Sequence, residues 1–120
     1  MIIQIWHARN SNYLDELYEP LKHASFFGEH GFLFPHDDSA LYNSRETLKT
    51  VDLFIVEVSS PATWLGIEIG FASLYGKKIL CIYKKWSHIS SSLKDLTEDF
   101  IEYDDTKDMI DKVWSFLKNI

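Results

Sequence analysis

Two near-continuous apolar runs, Leu53-Phe-Ile-Val-Glu-Val58 and Ile79-Leu-Cys-Ile-Tyr83, bracket a helical pattern, and that arrangement limits the folds open to this chain. A strand that is apolar at successive positions is covered on both faces, the mark of a parallel sheet sandwiched between helices. Between the runs lie the turn residues Ser59-Ser60-Pro61, a helix predicted over Thr63–Tyr75, and a stop at Gly76. Strand, helix and strand in that order make a crossover unit, whose two strands lie parallel in one sheet.

The remaining segments repeat the alternation. Ile2–Trp6 reads as a first strand. Asn12 is placed to cap a helix over 13–24, with Leu14, Leu17, Tyr18 and Leu21 on one face, although Pro20 objects to an unbroken helix. Phe32–Phe34 reads as a short strand closed by Pro35, and Ser44–Thr50 as a short helix. Phe100–Tyr103 reads as an edge strand, and Thr106–Leu117 as an amphipathic helix. The expectation is one α/β domain over residues 1–120: a three-layer, flavodoxin-like, doubly wound parallel sheet of about five strands in the order 2-1-3-4-5. A content of 46% hydrophobic residues supplies the core for it.

Charge and cysteine usage narrow the function. A net charge of −6 argues against nucleic acid polymers and anionic membranes as partners. The lone Cys81 sits in an apolar strand and reads as a core residue. One cysteine permits no internal disulfide, and Met1–Trp6 has no basic head for a leader, so the expected location is the cytoplasm. The five histidines show no metal-ligand spacing. Neither a Rossmann glycine fingerprint nor a Walker loop is present, so no metal and no cofactor are expected.

In an open α/β sheet, ligands bind beyond the carboxyl ends of the strands at the switch point between strands 1 and 3. That rule selects His7–Asn10, Pro35–Asp38 and Ser59–Thr63. Arginine occurs only as Arg9 and Arg45 among 12 basic residues, and Arg9 falls in the first of these loops. A guanidinium there suits a phosphate or carboxylate, though a solvated loop arginine is an equally simple reading. The helix over 63–75 holds one acid, Glu68, the only formal charge between Glu57 and Lys77. The helix is apolar nearly all round and is therefore expected to be largely buried. Burial raises a carboxyl pKa and makes Glu68 either a catalytic group or a structural acid with a backbone or basic partner. Gly66 and Gly70 point to close approach of this helix to the sheet or to a partner helix. Glu57 reads as structural, holding the loop that follows it.

The pattern Asp52-x-x-Ile-Val-Glu-Val-Ser-x-Pro61, then Leu65-Gly-Ile-Glu-Ile-Gly-Phe-Ala72, then Gly76-Lys-Lys-Ile-Leu-Cys-Ile-Tyr83 resembles the nucleoside 2-deoxyribosyltransferase superfamily, which includes small 2′-deoxynucleoside 5′-monophosphate N-hydrolases. Ile5-Trp-His-Ala-Arg9 followed by Tyr18 is similar to the family's substrate-binding turn and first helix. The resemblance implies that Glu68 is the nucleophile at the anomeric carbon of a nucleoside or nucleotide. His7, Arg9, Asp37, Ser44, Ser59 and Thr63 would line the pocket. Asp37, Asp38 or His36 would protonate the leaving base, unless these three form only a solvated turn. The resemblance also implies a homodimer or higher homo-oligomer, with Trp86, Trp114 or Phe116 as candidate contacts.

The chain departs from the family pattern at three places. Ser44 stands where members carry an aspartate, Ala62 replaces a phosphate-binding serine, and Thr63-Trp64-Leu65 fills a glycine-rich stretch. A catalytically reduced nucleotide-binding or sensing module is therefore the alternative to an enzyme.

Overall fold

The computed structural model describes residues 1–34 and 49–120. Its strands are β1 (Ile2–His7), β2 (Gly31–Leu33), β3 (Leu53–Glu57), β4 (Lys78–Lys84) and β5 (Asp99–Tyr103). They form one parallel sheet in the order β2-β1-β3-β4-β5, as the alternation of elements predicts. The register pairs His7 with Glu57 and Glu57 with Ile82, so the carboxyl ends of the three central strands are level. The expected helix at 44–50 falls mostly outside the described residues.

Strand side chains alternate between the two faces and build a core on each. Ile3, Ile5, Leu53, Ile55, Leu80 and Ile82 pack with the helices that follow β1 and β5. Trp6, Phe54, Val56, Ile79 and Cys81 pack with the helix that follows β3. Burial pushes the Cys81 thiol up to about 12, so it stays a protonated, apolar core group.

The segment after β1 resolves the Pro20 objection. Leu14–Tyr18 forms a wide π-type turn in which the Glu19 N–H reaches back to the Leu14 carbonyl. The α-helix α1 (Glu19–Lys22) follows, with Pro20 in its first turn. The ladder widens just ahead of the proline, so its missing N–H falls at a junction rather than inside a regular helix. The helix is consequently shorter than the 13–24 expected. Asn12 gives no side-chain cap; its backbone carbonyl accepts from the Glu16 N–H at 3.0 Å.

The helix α2 (Thr63–Leu74) crosses from β3 to β4 and ends at Gly76, whose φ of 68° suits glycine. The expectation that this helix is largely buried is overturned. Only Leu65, Ile69 and Ala72 are buried against the sheet, while Trp64 is 73% exposed and Leu74 80%, with Ile67, Phe71 and Tyr75 also exposed. The reason is positional: an outer-layer helix meets the sheet along a single stripe, and no second layer of described residues covers the rest. A Cβ built at Gly66 or Gly70 meets nothing within 4 Å among the described residues. Close approach to the sheet is therefore not what these glycines serve, although each costs about 1 kcal/mol in a helix interior relative to alanine.

The last helix, α3 (Thr106–Lys118), is capped by Asp105, whose side chain accepts from the Asp108 N–H at 2.8 Å. It buries Met109, Val113 and Leu117 beside α1. Trp114 stacks on the buried Phe26 with centroids 5.4 Å apart, and Phe116 packs partly buried against the same core. Among the described residues, no helix is long and apolar enough to cross a membrane.

Candidate functional site

The loops after β1 and β3 leave adjacent strands, and α1 and α2 depart to opposite faces of the sheet. This is the switch point, where side chains from both loops converge without a helix covering the strand ends. Arg9 lies exposed in the first loop, and α2 starts from the second with Thr63 exposed in its first turn.

Glu68 sits one turn into α2, half-buried, on the same side of the helix as Trp64, Phe71 and Tyr75. Its carboxyl is pushed up from the ordinary value to about 7, because burial strips water from the charged form, while the Arg9 guanidinium pulls the other way. Near neutral pH the group therefore exists in both forms. An ionised half-buried carboxylate is poorly solvated and a better nucleophile or base than an ordinary surface glutamate.

The other residues selected from the sequence are placed as follows. His7 is buried at the end of β1, its Nε2 2.6 Å from the Tyr18 hydroxyl and its Nδ1 3.0 Å from the Ala8 carbonyl. Its ring stacks on Tyr13 with centroids 4.1 Å apart. It braces the loop that carries Arg9 against the first helical turn. Ser59 is part-buried, and its Oγ accepts from the Lys84 N–H at 2.7 Å, tying the loop after β3 to the end of β4. Asp37 and Ser44, with His36, Asp38 and Arg45, lie outside the described residues.

Glu57 behaves as a structural acid. One carboxylate oxygen accepts from the Ser59 N–H at 2.6 Å and the other from the Tyr103 hydroxyl. Burial and the adjacent carboxylate both drive the Tyr103 pKa upward, so the phenol stays a donor. This pair fixes the loop that launches α2, and with it the direction from which Glu68 projects.

Sequence reasoning missed a cleft at the same end of the sheet, on the α1 side, between Tyr13, Glu16, Ser60, Lys84 and Tyr103. Lys84 forms an ion pair with Glu16 across it. The available signal was positional: Lys84 is the last residue of a strand in a parallel sheet, and such residues face the ligand end. Among the described residues, no group of His, Cys, Asp or Glu could hold a metal ion.

No protein-family model matches this sequence, and no curated protein does either. Solved structures do. The chain superposes on a Clostridium botulinum CMP N-glycosidase, BcmB, with a TM-score of 0.67 at 20% identity, over 94% of this chain and 98% of that one. The two share a fold. A conserved protein of Enterococcus faecalis V583 superposes with a TM-score of 0.60 at 14% identity, over 97% of this chain and 98% of that one. The flavodoxin-like expectation is borne out by the strand order and by these superpositions. At such identities the likeness carries the fold and leaves the chemistry to the residues.

Proposed function

We propose that this chain cleaves the N-glycosidic bond of a nucleoside or nucleotide, with Glu68 as the nucleophile. The observation that carries the reading is the half-buried Glu68 carboxyl at the ligand end of the sheet, within reach of the Arg9 charge, with burial pushing its pKa up to about 7. It occurs on a fold that a CMP N-glycosidase also uses, and the motif around Glu68 resembles that of the deoxyribosyltransferase superfamily.

In the proposed reaction a Glu68 oxygen bonds to C1′ as the C1′–N bond breaks. The electron pair leaves with the nucleobase, which takes a proton from an acid; Asp37, Asp38 and His36 are the candidates that the sequence offers. Water then attacks C1′ and gives its proton to the conjugate base of that acid, the C1′–O(Glu68) bond breaks, and both the acid and the carboxylate are restored. In a transferase, a second base attacks in place of water. Arg9 would hold a phosphate or sugar oxygen, and Ser59 and Thr63 would complete the rim. Ser44 at the family's aspartate position favours the second reading, a binding module with reduced catalysis. The chain is further proposed to act as a homo-oligomer.

Chromatography for free nucleobase tests the assignment, using a panel of deoxynucleosides, ribonucleotides and their monophosphates, with and without an acceptor base. Release is expected, with Glu68→Gln lower by at least about a thousandfold. Full activity in Glu68→Gln would remove the nucleophile assignment. Nucleotide binding without any release would establish the binding module instead.

A further inference from the structure

The cleft on the α1 side lies across the sheet from α2, and Glu68 does not line it. Side chains alternate along each strand, so His7, Glu57, Lys84 and Tyr103 all end their strands on this face, above the core of Ile5, Ile55 and Ile82. Glu57 lines the cleft and is only 8% exposed. The Ser59 N–H and the Tyr103 hydroxyl donate to its two oxygens, which holds the carboxylate in place but brings no positive charge. Among the described residues no basic side chain pairs with it. Lys84 goes to Glu16, and the His7 ring nitrogens go to the Tyr18 hydroxyl and the Ala8 carbonyl. A buried carboxylate is ordinarily matched by a cation, because it has lost the water that would stabilise its charge.

We propose that this cleft is a binding site for a small organic cation, whose primary ammonium group pairs with Glu57. The rest of the lining suits that charge. An ammonium has three N–H donors and no acceptor, and Ser59, Ser60 and Asn12 supply further oxygen acceptors around the carboxylate. Tyr13 and Tyr103 add aromatic rings, which attract organic cations, and Leu17 gives a carbon chain an apolar contact. An anion would meet two carboxylates and one ammonium that is already paired. A metal ion is poorly served, since the described residues form no group of His, Cys, Asp or Glu able to hold one. The space is about 310 Å³ counting the part open to solvent, the size of a small-molecule site.

The mouth of the cleft is suited to exchange. Glu16 and Leu17 come from the π-type turn after β1, a backbone form that recurs at functional sites. The Lys84–Glu16 pair is partly open to water at both ends, and such pairs contribute little. Lys84 is therefore a built-in competitor for the acids of the cleft, and removing it favours a cation from outside.

The site depends on neither Glu68 nor the glycosidase reading, and its test needs no nucleoside. Phenethylammonium chloride is titrated into the isotope-labelled chain at fixed ionic strength, with amide chemical shifts as the readout. Phenylpropionate serves as the probe of opposite charge. Saturable shifts at Ser59, Ser60 and Lys84 are expected for the ammonium, with a dissociation constant of about 1 mM or below, and none there for the carboxylate. Lys84→Met is expected to tighten binding by about threefold. Glu57→Gln keeps the shape of the side chain and is expected to weaken binding by at least about tenfold. Should that variant not fold by circular dichroism, Lys84→Met still decides. Shifts that spread over the acidic surface without saturating would overturn the assignment. So would an equal response to phenylpropionate, or binding that is unchanged or weaker in Lys84→Met.

Discussion

The two faces of this sheet are finished differently. On the side of α1 and α3, buried polar groups have partners: His7 meets Tyr18, and Glu57 meets Tyr103 and the Ser59 amide. Aromatic rings interlock there, with Trp114 stacked on Phe26 and Phe34 tilted against Tyr18. On the side of α2, among the described residues, the buried Gln4 amide has no hydrogen-bond partner, five large apolar side chains are exposed, and a Cβ at Gly66 or Gly70 would meet nothing within 4 Å. The closed face holds the sheet together. The open face carries the acid with the displaced pKa, and displaced pKa values cluster at functional sites.

The largest expected effect separates the faces directly. Phe26→Ala, on the closed face, removes a fully buried ring and is expected to cost about 3–5 kcal/mol in urea unfolding. Trp64→Ala removes a larger ring from the open face and is expected to change monomer stability by less than about 0.5 kcal/mol. Comparable losses in the two variants, measured at concentrations where the chain is monomeric, would show that the faces are not unequal in this way.

The comparison also explains what could be read from the sequence. Leu53–Val58 and Ile79–Tyr83 announced a covered parallel sheet, because a strand with apolar side chains on both faces has few other solutions. The sheet order followed from the alternation of elements. The burial of α2 did not follow. Trp64, Ile67, Phe71, Leu74 and Tyr75 read as core because hydrophobicity reports that a surface avoids water, not whether the same chain covers it. Glu68 stood out, since a single charge in an apolar helix is visible without a structure. The partners of Glu57 and Lys84 were not, because β5 and the turn after β1 are distant in sequence and only the register brings them together.

Gln4 provides a smaller effect of opposite sign. Its side chain is fully buried beside Trp6 and Phe54, and an amide without partners costs about 1–3 kcal/mol to keep out of water. Gln4→Leu roughly conserves volume and removes that cost, so the unfolding free energy is expected to rise by about 1 kcal/mol or more. The same change in a polar group of the closed face, such as Tyr103→Phe, is expected to lower it. A fall in the Gln4→Leu variant would mean that the amide has a partner which supports the open face.

The finest test concerns Glu68 and has a definite sign. Its pKa rises from 4.5 to about 7 on folding, so between those values the folded chain keeps a proton that the unfolded chain has lost. This stabilising contribution is complete below about pH 4.5, declines as the pH climbs, and is gone above about 7. The carboxyl is partly open to water, which reduces the effect to about 1 kcal/mol, or roughly 4 °C in melting temperature for a chain of this size. Glu68→Gln has no proton to lose. It is expected to melt with the native chain at pH 4.5 and about 4 °C above it at pH 8, in the same variant that loses base release. A stability gain accompanied by loss of activity is what a displaced catalytic group gives. A structural acid held by a partner would instead melt lower when replaced. A difference that is equal at both pH values would mean that Glu68 titrates normally, and the open face would then lose the property that marks it as the site.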